Sequence, residues 1–382
     1  MPEFYEFFAG GGMARAGLGN GWTCVFANDF DSKKCVAYER NWGSDVLINT
    51  PVQELTPANL PSKVDLAWAS FPCQDLSLAG AGAGLRGERS GTFWPFWDLI
   101  ASLRAERREP RIIVLENVIG ALSSHQGKDF AAIGKAFAGA GYLFGAVVID
   151  AAHFVPQSRP RLFIIGVNEE LDVPETVLDT GPTTPWHPAH LNAAFRKLSK
   201  SAKMKWIWWR LPDPPIRGSV LADLIESKPI DVVWHTKEQT KRLVSLMSPV
   251  NRNKVRAAQK LDHYIVGAVY KRTRKDQDGV RRQRAEVRFD DLAGCLRTPT
   301  GGSSRQTIMV INGRSIRSRL LSARETARLM GLHDTYLLPE KYNEAYHLTG
   351  DGVVVPVVRF LAGSLLEPLL TAEEERRRNA AA

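Results

Sequence analysis

A short segment with a cysteine carries the strongest chemical signal in the chain. Residues 70–74 read Ser-Phe-Pro-Cys-Gln and follow the apolar run 64–69, which predicts a buried strand. Ligands and reacting groups of α/β proteins collect at the carboxyl ends of strands, and a thiolate is the strongest nucleophile among the side chains. Cys73 is therefore a candidate nucleophile. The alternative is that it packs as a small hydrophobic residue, as free cysteines commonly do.

A glycine-rich turn marks a second candidate site. Residues 8–12 read Phe-Ala-Gly-Gly-Gly directly after the first predicted strand. Glycines there let a ligand approach the backbone, and the start of the next helix offers free N–H groups. The dinucleotide fingerprint G-x-G-x-x-G fails because Arg15 stands three residues after Gly12, which argues against a NAD oxidoreductase. An ordinary glycine turn without a ligand is the alternative.

An acid follows the second predicted strand, which ends in Asn-Asp-Phe at residues 28–30. Asp29 is placed to bind ribose hydroxyls, as acids at this strand end do in nucleotide-binding folds. Phe30 is placed to stack on an adenine ring. The alternative is an ordinary surface acid. Together with the glycine turn, these residues favour a nucleoside cofactor that has no pyrophosphate.

Strands and helices alternate through the first 170 residues or so, and this pattern positions the candidate groups. Apolar strands are predicted at 3–8, 22–28, 64–69, 111–118, 142–149 and 161–167. Helical segments at 32–40, 93–104 and 129–140 separate them. The alternation predicts an α/β fold with a doubly wound, mostly parallel sheet.

The pattern changes after residue 172. Prolines and tryptophans cluster, the alternation ends, and basic residues dominate between Asn251 and Arg288. We expect a first domain over 1–174, a smaller irregular domain over 175–315, and a segment over 316–382 that returns to the first. In that last segment Ser322 is a predicted helix N-cap, and Glu325, three residues on, completes a capping box.

Composition limits the classes of partner. The chain has 50 Lys and Arg against 41 Asp and Glu, a net charge of +9. Its basic stretch favours a polyanionic partner, most often nucleic acid, and a solvated basic surface is the alternative. Four cysteines without metal-ligand spacing predict a reduced cytoplasmic protein without structural zinc. No uninterrupted apolar run reaches the roughly 18 residues of a membrane span.

Six motifs, in the same order as in the family, together resemble the cytosine-C5 DNA methyltransferases of bacteria and phages. They are the glycine turn at 8–12, Phe-Pro-Cys-Gln at 71–74, Glu-Asn-Val at 116–118, Gln-Ser-Arg-Pro-Arg at 157–161, the Arg-Glu to Met-Gly helix at 324–331, and Gly-Asp-Gly-Val-Val at 350–354. Each motif alone is weak, and the ordered set carries the resemblance. It implies an S-adenosylmethionine-dependent methyltransferase fold with a target recognition domain over 175–315.

The resemblance also implies a role for each matching residue. Cys73 adds to C6 of a flipped cytosine, and Glu116 holds N3 and the 4-amino group. Arg161 binds the O2 oxygen, and Arg159 supports Glu116 or a phosphate. The methyl group passes from S-adenosylmethionine to C5, and the C5 proton and Cys73 then leave. The implied cofactor contacts are Phe8, Ala9, Gly10, Gly11, Gly12, Asp29, Phe30, Pro72, Asp351 and Val353. The implied DNA contacts are Gln74, Ser77, Arg89 and Arg305.

The last motif departs from the family pattern. Asp351 and Gly352 stand where the family usually has Asn followed by Ser or Ala. The resemblance would place the carboxylate of Asp351 near the methionine end of the cofactor. Its effect on cofactor affinity is open at this point.

The expected partner is double-stranded DNA, with no membrane association. The resemblance also allows a cognate restriction endonuclease that shares the recognition site. We expect a monomer, which suits an enzyme that flips one base at a time, in the cytoplasm of a bacterial or phage-infected cell. Two alternatives stay open: an RNA cytosine-C5 methyltransferase and a catalytically silent DNA-binding relative. The basic 175–315 region favours duplex DNA, and the presence of Cys73 and Glu116 argues against a silent relative.

Overall fold

The computed structural model describes residues 1–71, 92–261, 263–275, 278–298 and 305–381. Several predicted site residues lie outside the described residues, namely Pro72, Cys73, Gln74, Ser77 and Arg89. The roles given to them above therefore stay predictions.

Thirteen strands and twelve α-helices form the described parts of the chain. The strands are β1 Glu3–Phe7, β2 Thr23–Asp29, β3 Leu47–Asn49, β4 Leu66–Ala69, β5 Ile112–Val118, β6 Tyr142–Asp150, β7 Pro160–Asn168, β8 Leu178–Asp179, β9 Trp208–Trp209, β10 Ile265–Lys275, β11 Arg281–Arg288, β12 Thr307–Asn312 and β13 Ser315–Leu320. The helices are α1 Met13–Leu18, α2 Ser32–Trp42, α3 Phe93–Ala105, α4 Lys128–Gly139, α5 Ala189–Arg196, α6 Lys200–Met204, α7 Lys237–Ser245, α8 Pro249–Ala258, α9 Ala323–Leu329, α10 Tyr342–Asp351, α11 Val355–Leu361 and α12 Glu367–Ala381.

The chain divides into two compact units. The first comprises Met1–Asp150, Pro160–Pro214 and Val353–Ala382, and the second comprises Ala151–Arg159 and Pro215–Gly352. This division differs from the predicted boundaries at 174 and 315.

Two sets of contacts explain why the first unit is larger than the predicted first domain. The chain beyond residue 174 adds to β6, where the Val148 and Phe144 N–H groups donate to the carbonyls of Trp186 and Lys205. The chain returns at α11, which packs so closely on α1 that a Cβ at Gly17 would lie 2.4 Å from the Cβ of Val358. No local sequence pattern indicates either contact. The predicted boundaries were therefore placed where the composition of the chain changes.

A seven-stranded sheet forms the centre of the first unit, in the order β3-β2-β1-β4-β5-β7-β6. Neighbours from β3 to β5 are parallel, and β7 is antiparallel to both β5 and β6. Strands β4 and β5 are buried along almost their whole length, as parallel strands covered by helices on both faces must be. The predicted α/β, mostly parallel sheet is confirmed. Strand β3 was missed because three residues are too short for a periodic pattern.

The second unit is built on a four-stranded antiparallel sheet in the order β11-β10-β12-β13. Its apolar face packs under α7 and α8, with Leu243, Met247, Val255, Val269 and Val287 in one core. Helix α9 starts as predicted, because Ser322 and Glu325 form the expected capping box.

A fully buried ion pair lies behind that cap. The guanidinium of Arg319 holds the carboxylate of Glu325 in two hydrogen bonds of 2.7 and 2.6 Å, and neither side chain is exposed. The Arg319 guanidinium also donates to the carbonyl of Glu226. Buried charges persist only when paired and hydrogen-bonded in this way.

One described stretch, Tyr342–Glu373, meets the length and composition test for crossing a membrane, with 32 residues and a mean hydropathy of 1.8. This is weak support for a span, because the core helix of a soluble protein passes the same test and 56% of the window is buried. The helix is also interrupted at residues 352–354.

Candidate active site

Glu116 and Arg161 meet on one face of the sheet. Glu116 lies near the carboxyl end of β5, and the antiparallel register places Val118 opposite Arg161 of β7. Residues two apart on a strand share a face, so Arg161 lies diagonally across from Glu116. Arg161 Nε lies 3.1 Å from Glu116 Oε1, and the side chains are 15% and 9% exposed. The pair therefore presents a fixed acid and a fixed cation at a strand end.

Asn117 ties this strand end to the chain that leaves β4. Its side-chain amide donates to the carbonyl of Phe71 at 3.2 Å, and its Oδ1 accepts the Val118 N–H at 2.8 Å. Phe71 is buried and packs 5.7 Å from the ring of Phe93 at the start of α3. The last described residue before Cys73 is thus anchored beside Glu116.

The glycine turn after β1 has a strained backbone. Phe8, Gly10 and Gly12 have positive φ angles of 56°, 56° and 76°. A Cβ on Gly12 would lie 2.3 Å from the indole nitrogen of Trp42, which donates to the Gly11 carbonyl at 3.1 Å. A Cβ on Gly10 would meet nothing within 4 Å. Gly12 is therefore required by packing, whereas Gly10 leaves room for a ligand against the backbone.

Asp29 holds the glycine turn in place. Its two carboxylate oxygens accept the N–H groups of Gly10 at 2.8 Å and Asp31 at 2.9 Å. The side chain is 6% exposed, and burial raises the pKa of its carboxyl. The neighbouring Phe30 is 65% exposed. A large exposed ring next to a buried acid suits a flat, hydroxyl-bearing ligand such as a nucleoside.

Sequence analysis missed Glu6, a buried acid in the middle of β1. It is 1% exposed, its Oε1 accepts the Arg15 N–H at 3.1 Å, and no described residue hydrogen-bonds its Oε2. Burial raises the pKa of Glu6 to about 8. The available signal was an acid inside an otherwise apolar strand. Arg15 packs on Trp42 and donates to Tyr38, so the residue that breaks the dinucleotide fingerprint has a packing role here.

Arg159 lies in the second unit and makes contacts that differ from the predicted ones. It is 2% exposed and donates to the carbonyls of Leu296 at 2.9 Å and of Gly350 and Gly352 at 2.8 Å. These bonds make it a clamp on two backbone segments, one at Leu296 and one at Gly350 and Gly352. The expected support of Glu116 or of a phosphate stays a prediction.

The other predicted residues of the last motif are placed as follows. The carboxylate of Asp351 is exposed and accepts a hydrogen bond from the Thr298 hydroxyl within the second unit. Val353 is buried in the first unit. Arg305, a predicted DNA contact, is half-buried, with its guanidinium 5.6 Å from the ring of Tyr342 and a hydrogen bond to Asn343.

Known proteins resemble this chain over almost its whole length. The model of the family described as C-5 cytosine-specific DNA methylase matches residues 3–367. The type II methyltransferase M.HpaII of Haemophilus parainfluenzae is 26% identical over 382 residues, covering 96% of this chain and 89% of that protein. The type II methyltransferase M.HhaI of Haemophilus parahaemolyticus is 25% identical over 365 residues, covering 94% of this chain and 93% of that protein.

Solved structures share the fold. The Dnmt2 methyltransferase of S. pombe has a TM-score of 0.60 at 16% identity and covers 97% of this chain and 99% of its own. The methyltransferase EhMeth of Entamoeba histolytica has a TM-score of 0.62 at 12% identity, with coverage of 97% and 98%. At such identities the likeness concerns the fold alone.

Proposed function

Since the chain belongs to the C-5 cytosine-specific DNA methylase family, we propose that Cys73, Glu116 and Arg161 carry the DNA cytosine-C5 methyltransferase reaction in this protein. The observation that supports the assignment is the Glu116–Arg161 pair, held at 3.1 Å on one sheet face. Asn117 anchors Phe71 beside it. Cys73 stands two residues after this anchored residue in the sequence.

The reaction needs a nucleophile because cytosine C5 is a poor carbon nucleophile. The thiolate of Cys73 forms a bond to C6, and the C5–C6 double-bond electrons become available at C5. C5 then takes the methyl group, after which C5 loses its proton and the Cys73–C6 bond breaks, so the ring regains its double bond and the thiolate is released. A stacked base cannot reach these groups, so the target cytosine is flipped out of the duplex at a cost of a few kcal/mol.

Glu116 and Arg161 divide the recognition of the ring between them. The carboxyl group of Glu116 holds N3 and the 4-amino group, which prevents charge from building up on the ring when the thiolate adds. Arg161 is a permanent cation and donates to O2. Because each side chain also holds the other, both keep one orientation before the substrate arrives.

The first unit has the features that S-adenosylmethionine requires. The open space at Gly10 admits a ligand against the turn, the Asp29 carboxylate accepts ribose hydroxyls, and the exposed ring of Phe30 stacks on adenine. When bound, this cofactor supplies an electrophilic methyl group on a sulfonium. Asp351 remains a proposed contact on the methionine side.

We place target recognition in the second unit, whose basic sheet suits a polyanion. We further propose that a restriction endonuclease shares the recognition sequence, that the enzyme acts in the cytoplasm, and that it works on duplex DNA as a monomer, which suits the flipping of one base at a time. These statements rest on the family and on the charge of the chain.

Bisulfite sequencing tests the function directly. DNA from a host without cytosine methylation should show protected cytosines in one sequence context after expression of the protein. Transfer of labelled methyl groups to RNA and not to duplex DNA would favour the RNA alternative and overturn the proposal.

A second experiment tests the covalent step. Duplex DNA with 5-fluorocytosine at the identified site should form an adduct stable to denaturing electrophoresis, because fluorine cannot leave as the C5 proton does. Cognate DNA with ordinary cytosine is the control. Turnover without an adduct would contradict the role of Cys73.

A further inference from the structure

The helix that follows the glycine turn begins without a cap of its own. The N-cap residue of α1 is Gly12, and the first turn of the helix carries no acid. Helices usually begin at Ser, Thr, Asp or Asn, whose side chain accepts a first-turn N–H group. None of these residues fits at Gly12, because a Cβ there would lie 2.3 Å from the indole nitrogen of Trp42. The start of α1 therefore needs an acceptor from another part of the chain.

Glu6 of β1 supplies such an acceptor. Its Oε1 accepts the N–H of Arg15 at 3.1 Å. Arg15 is the third residue of α1, one of the two positions that an N-cap side chain normally serves. Burying a carboxyl group costs free energy, and no described residue hydrogen-bonds the second oxygen of Glu6, Oε2. Packing alone would favour an apolar side chain here, so the hydrogen bond to the helix start is the feature that explains an acid.

The contacts of Arg15 connect this cap to the middle of the glycine turn. The Arg15 guanidinium lies 5.0 Å from the centre of the Trp42 ring, and the Trp42 indole N–H donates to the Gly11 carbonyl at 3.1 Å. The turn itself starts at Phe8, whose left-handed φ of 56° is a strained conformation for a residue other than glycine. Such a backbone persists only where the surrounding contacts hold it. Glu6 thus belongs to the set of contacts that hold the turn.

Resting on the proposed function, we propose that Glu6 is a positioning residue for S-adenosylmethionine, because its carboxyl group caps α1 and so holds the glycine turn in the conformation that receives the cofactor. Glu6 acts through the turn and not through its charge. A binding site that is already formed before the ligand arrives has a higher affinity, because a larger fraction of the molecules is competent to bind.

Two substitutions of Glu6 separate the acceptor from the shape of the side chain. Burial raises the pKa of Glu6 to about 8, so the group is mostly neutral at pH 7 and offers a carbonyl oxygen, as the amide of Glu6→Gln also does. Glu6→Leu has a similar volume and no acceptor. In isothermal titration, the Kd for S-adenosylmethionine should rise about fivefold in Glu6→Leu, as for a lost helix cap, and stay near the wild-type value in Glu6→Gln. The KM for the cofactor should follow its Kd, whereas kcat at saturating cofactor and the Kd for DNA should not change.

Glu109→Leu is the matched control. Glu109 is a buried acid that precedes β5 and so lies at the opposite edge of the same sheet. Its Oε1 accepts from Lys63 and Asn168, and no described residue hydrogen-bonds its Oε2. This variant should leave the cofactor Kd unchanged. Thermal melting shows whether each variant is folded, and Glu6→Val is a second variant without an acceptor.

Amide exchange gives a readout that needs no cofactor. In the cofactor-free protein, exchange over residues 8–15, measured by mass spectrometry, should be faster in Glu6→Leu than in the wild type, because the helix start opens more often. In Glu6→Gln the exchange should match the wild type. Wild-type exchange in Glu6→Leu would overturn the proposal.

S-adenosylhomocysteine distinguishes an effect of the turn from an effect of charge, because it lacks the positive charge on sulfur. A loss through the turn weakens both ligands by the same factor. A larger loss for S-adenosylmethionine, an unchanged Kd in Glu6→Leu or an equal loss in Glu109→Leu would each overturn the positioning role. If the wild-type protein binds neither ligand, the proposed function itself is wrong. If it binds both and Glu6→Leu binds them equally well, only the role of Glu6 is wrong.

Discussion

Charged side chains have opposite environments at two places in the molecule. One place is the carboxyl ends of β1, β2 and β5, and the other is the outer end of the β10–β11 hairpin. At these strand ends of the first unit, Glu116 and Asp29 are buried and each has a defined partner: Glu116 holds Arg161, and Asp29 holds two backbone N–H groups. On the hairpin, Arg272 stands opposite the half-buried Arg284, and the side chains of Arg272 and Arg282 are exposed.

This contrast follows from dielectric environment. A buried charge must be paired, because an unpaired one has a high free energy in the protein interior, and pairing fixes its position to a fraction of an ångström. Exposed charges are screened and interact weakly with each other. Side chains in fixed positions suit a reaction at defined ring atoms, whereas exposed arginines suit binding to a polymer of phosphates.

The largest effect is expected for Cys73→Ser. A hydroxyl has a far smaller ionised fraction than a thiol and is a poorer nucleophile for C6, so methyl transfer should fall to background, a loss of about 10⁴-fold or more. Isothermal titration should still show cofactor binding, because the first-unit cofactor residues are intact. Near wild-type turnover would show that the covalent mechanism is wrong.

The next effect concerns the paired acid of the first unit. Glu116→Gln keeps the shape but removes the proton-holding group, and kcat should fall by about 10²- to 10⁴-fold. Asp98→Asn, at an exposed carboxyl on α3, is the matched control and should keep full activity. Equal losses in both variants would contradict the special role of the buried pair.

The third prediction compares burial of charge within the second unit. Arg319→Met leaves the carboxylate of Glu325 buried without its partner, so the free energy of unfolding of that unit should fall by about 3–5 kcal/mol in urea titrations. Arg282→Gln breaks an exposed ion pair and should cost under about 1 kcal/mol. The double variant Arg319→Met/Glu325→Leu should recover much of the loss. Similar losses of unfolding free energy in the two single variants would contradict the contrast between buried and exposed charges.

The last prediction concerns the slope of stability against pH, where the effect within one pH unit is small. The pKa of Glu6 is about 8 in the folded protein, above its value in the unfolded chain, so the folded state holds this proton more tightly. Its contribution to stability is complete below about pH 4.5 and is lost as pH rises towards about 8. Glu6→Gln should reduce this fall, which is on the order of 1 kcal/mol per pH unit. Denaturant midpoints measured from pH 5 to 8 test this prediction. Parallel curves of midpoint against pH for the wild type and Glu6→Gln would contradict the raised pKa of Glu6.

Sequence patterns predicted those features that depend on neighbouring residues. All six predicted strands are present, as is the capping box at Ser322, because apolar periodicity and cap chemistry act over a few residues. Strand β3 and the extension of the first unit to residue 214 were not predicted. Both depend on pairing with distant segments, for example between Val148 and Trp186.

The sequence by itself determined the order of the motifs and the kinds of side chain that they carry, and these were enough to identify the family. Only the tertiary structure decided which of those side chains meet. Arg159 and Arg161 are two residues apart, yet Arg161 joins Glu116 through the antiparallel register of β5 and β7. Arg159 instead clamps backbone carbonyls in the second unit. The register between distant strands and the burial of each charge arise from packing of the whole chain, so no local pattern encodes them.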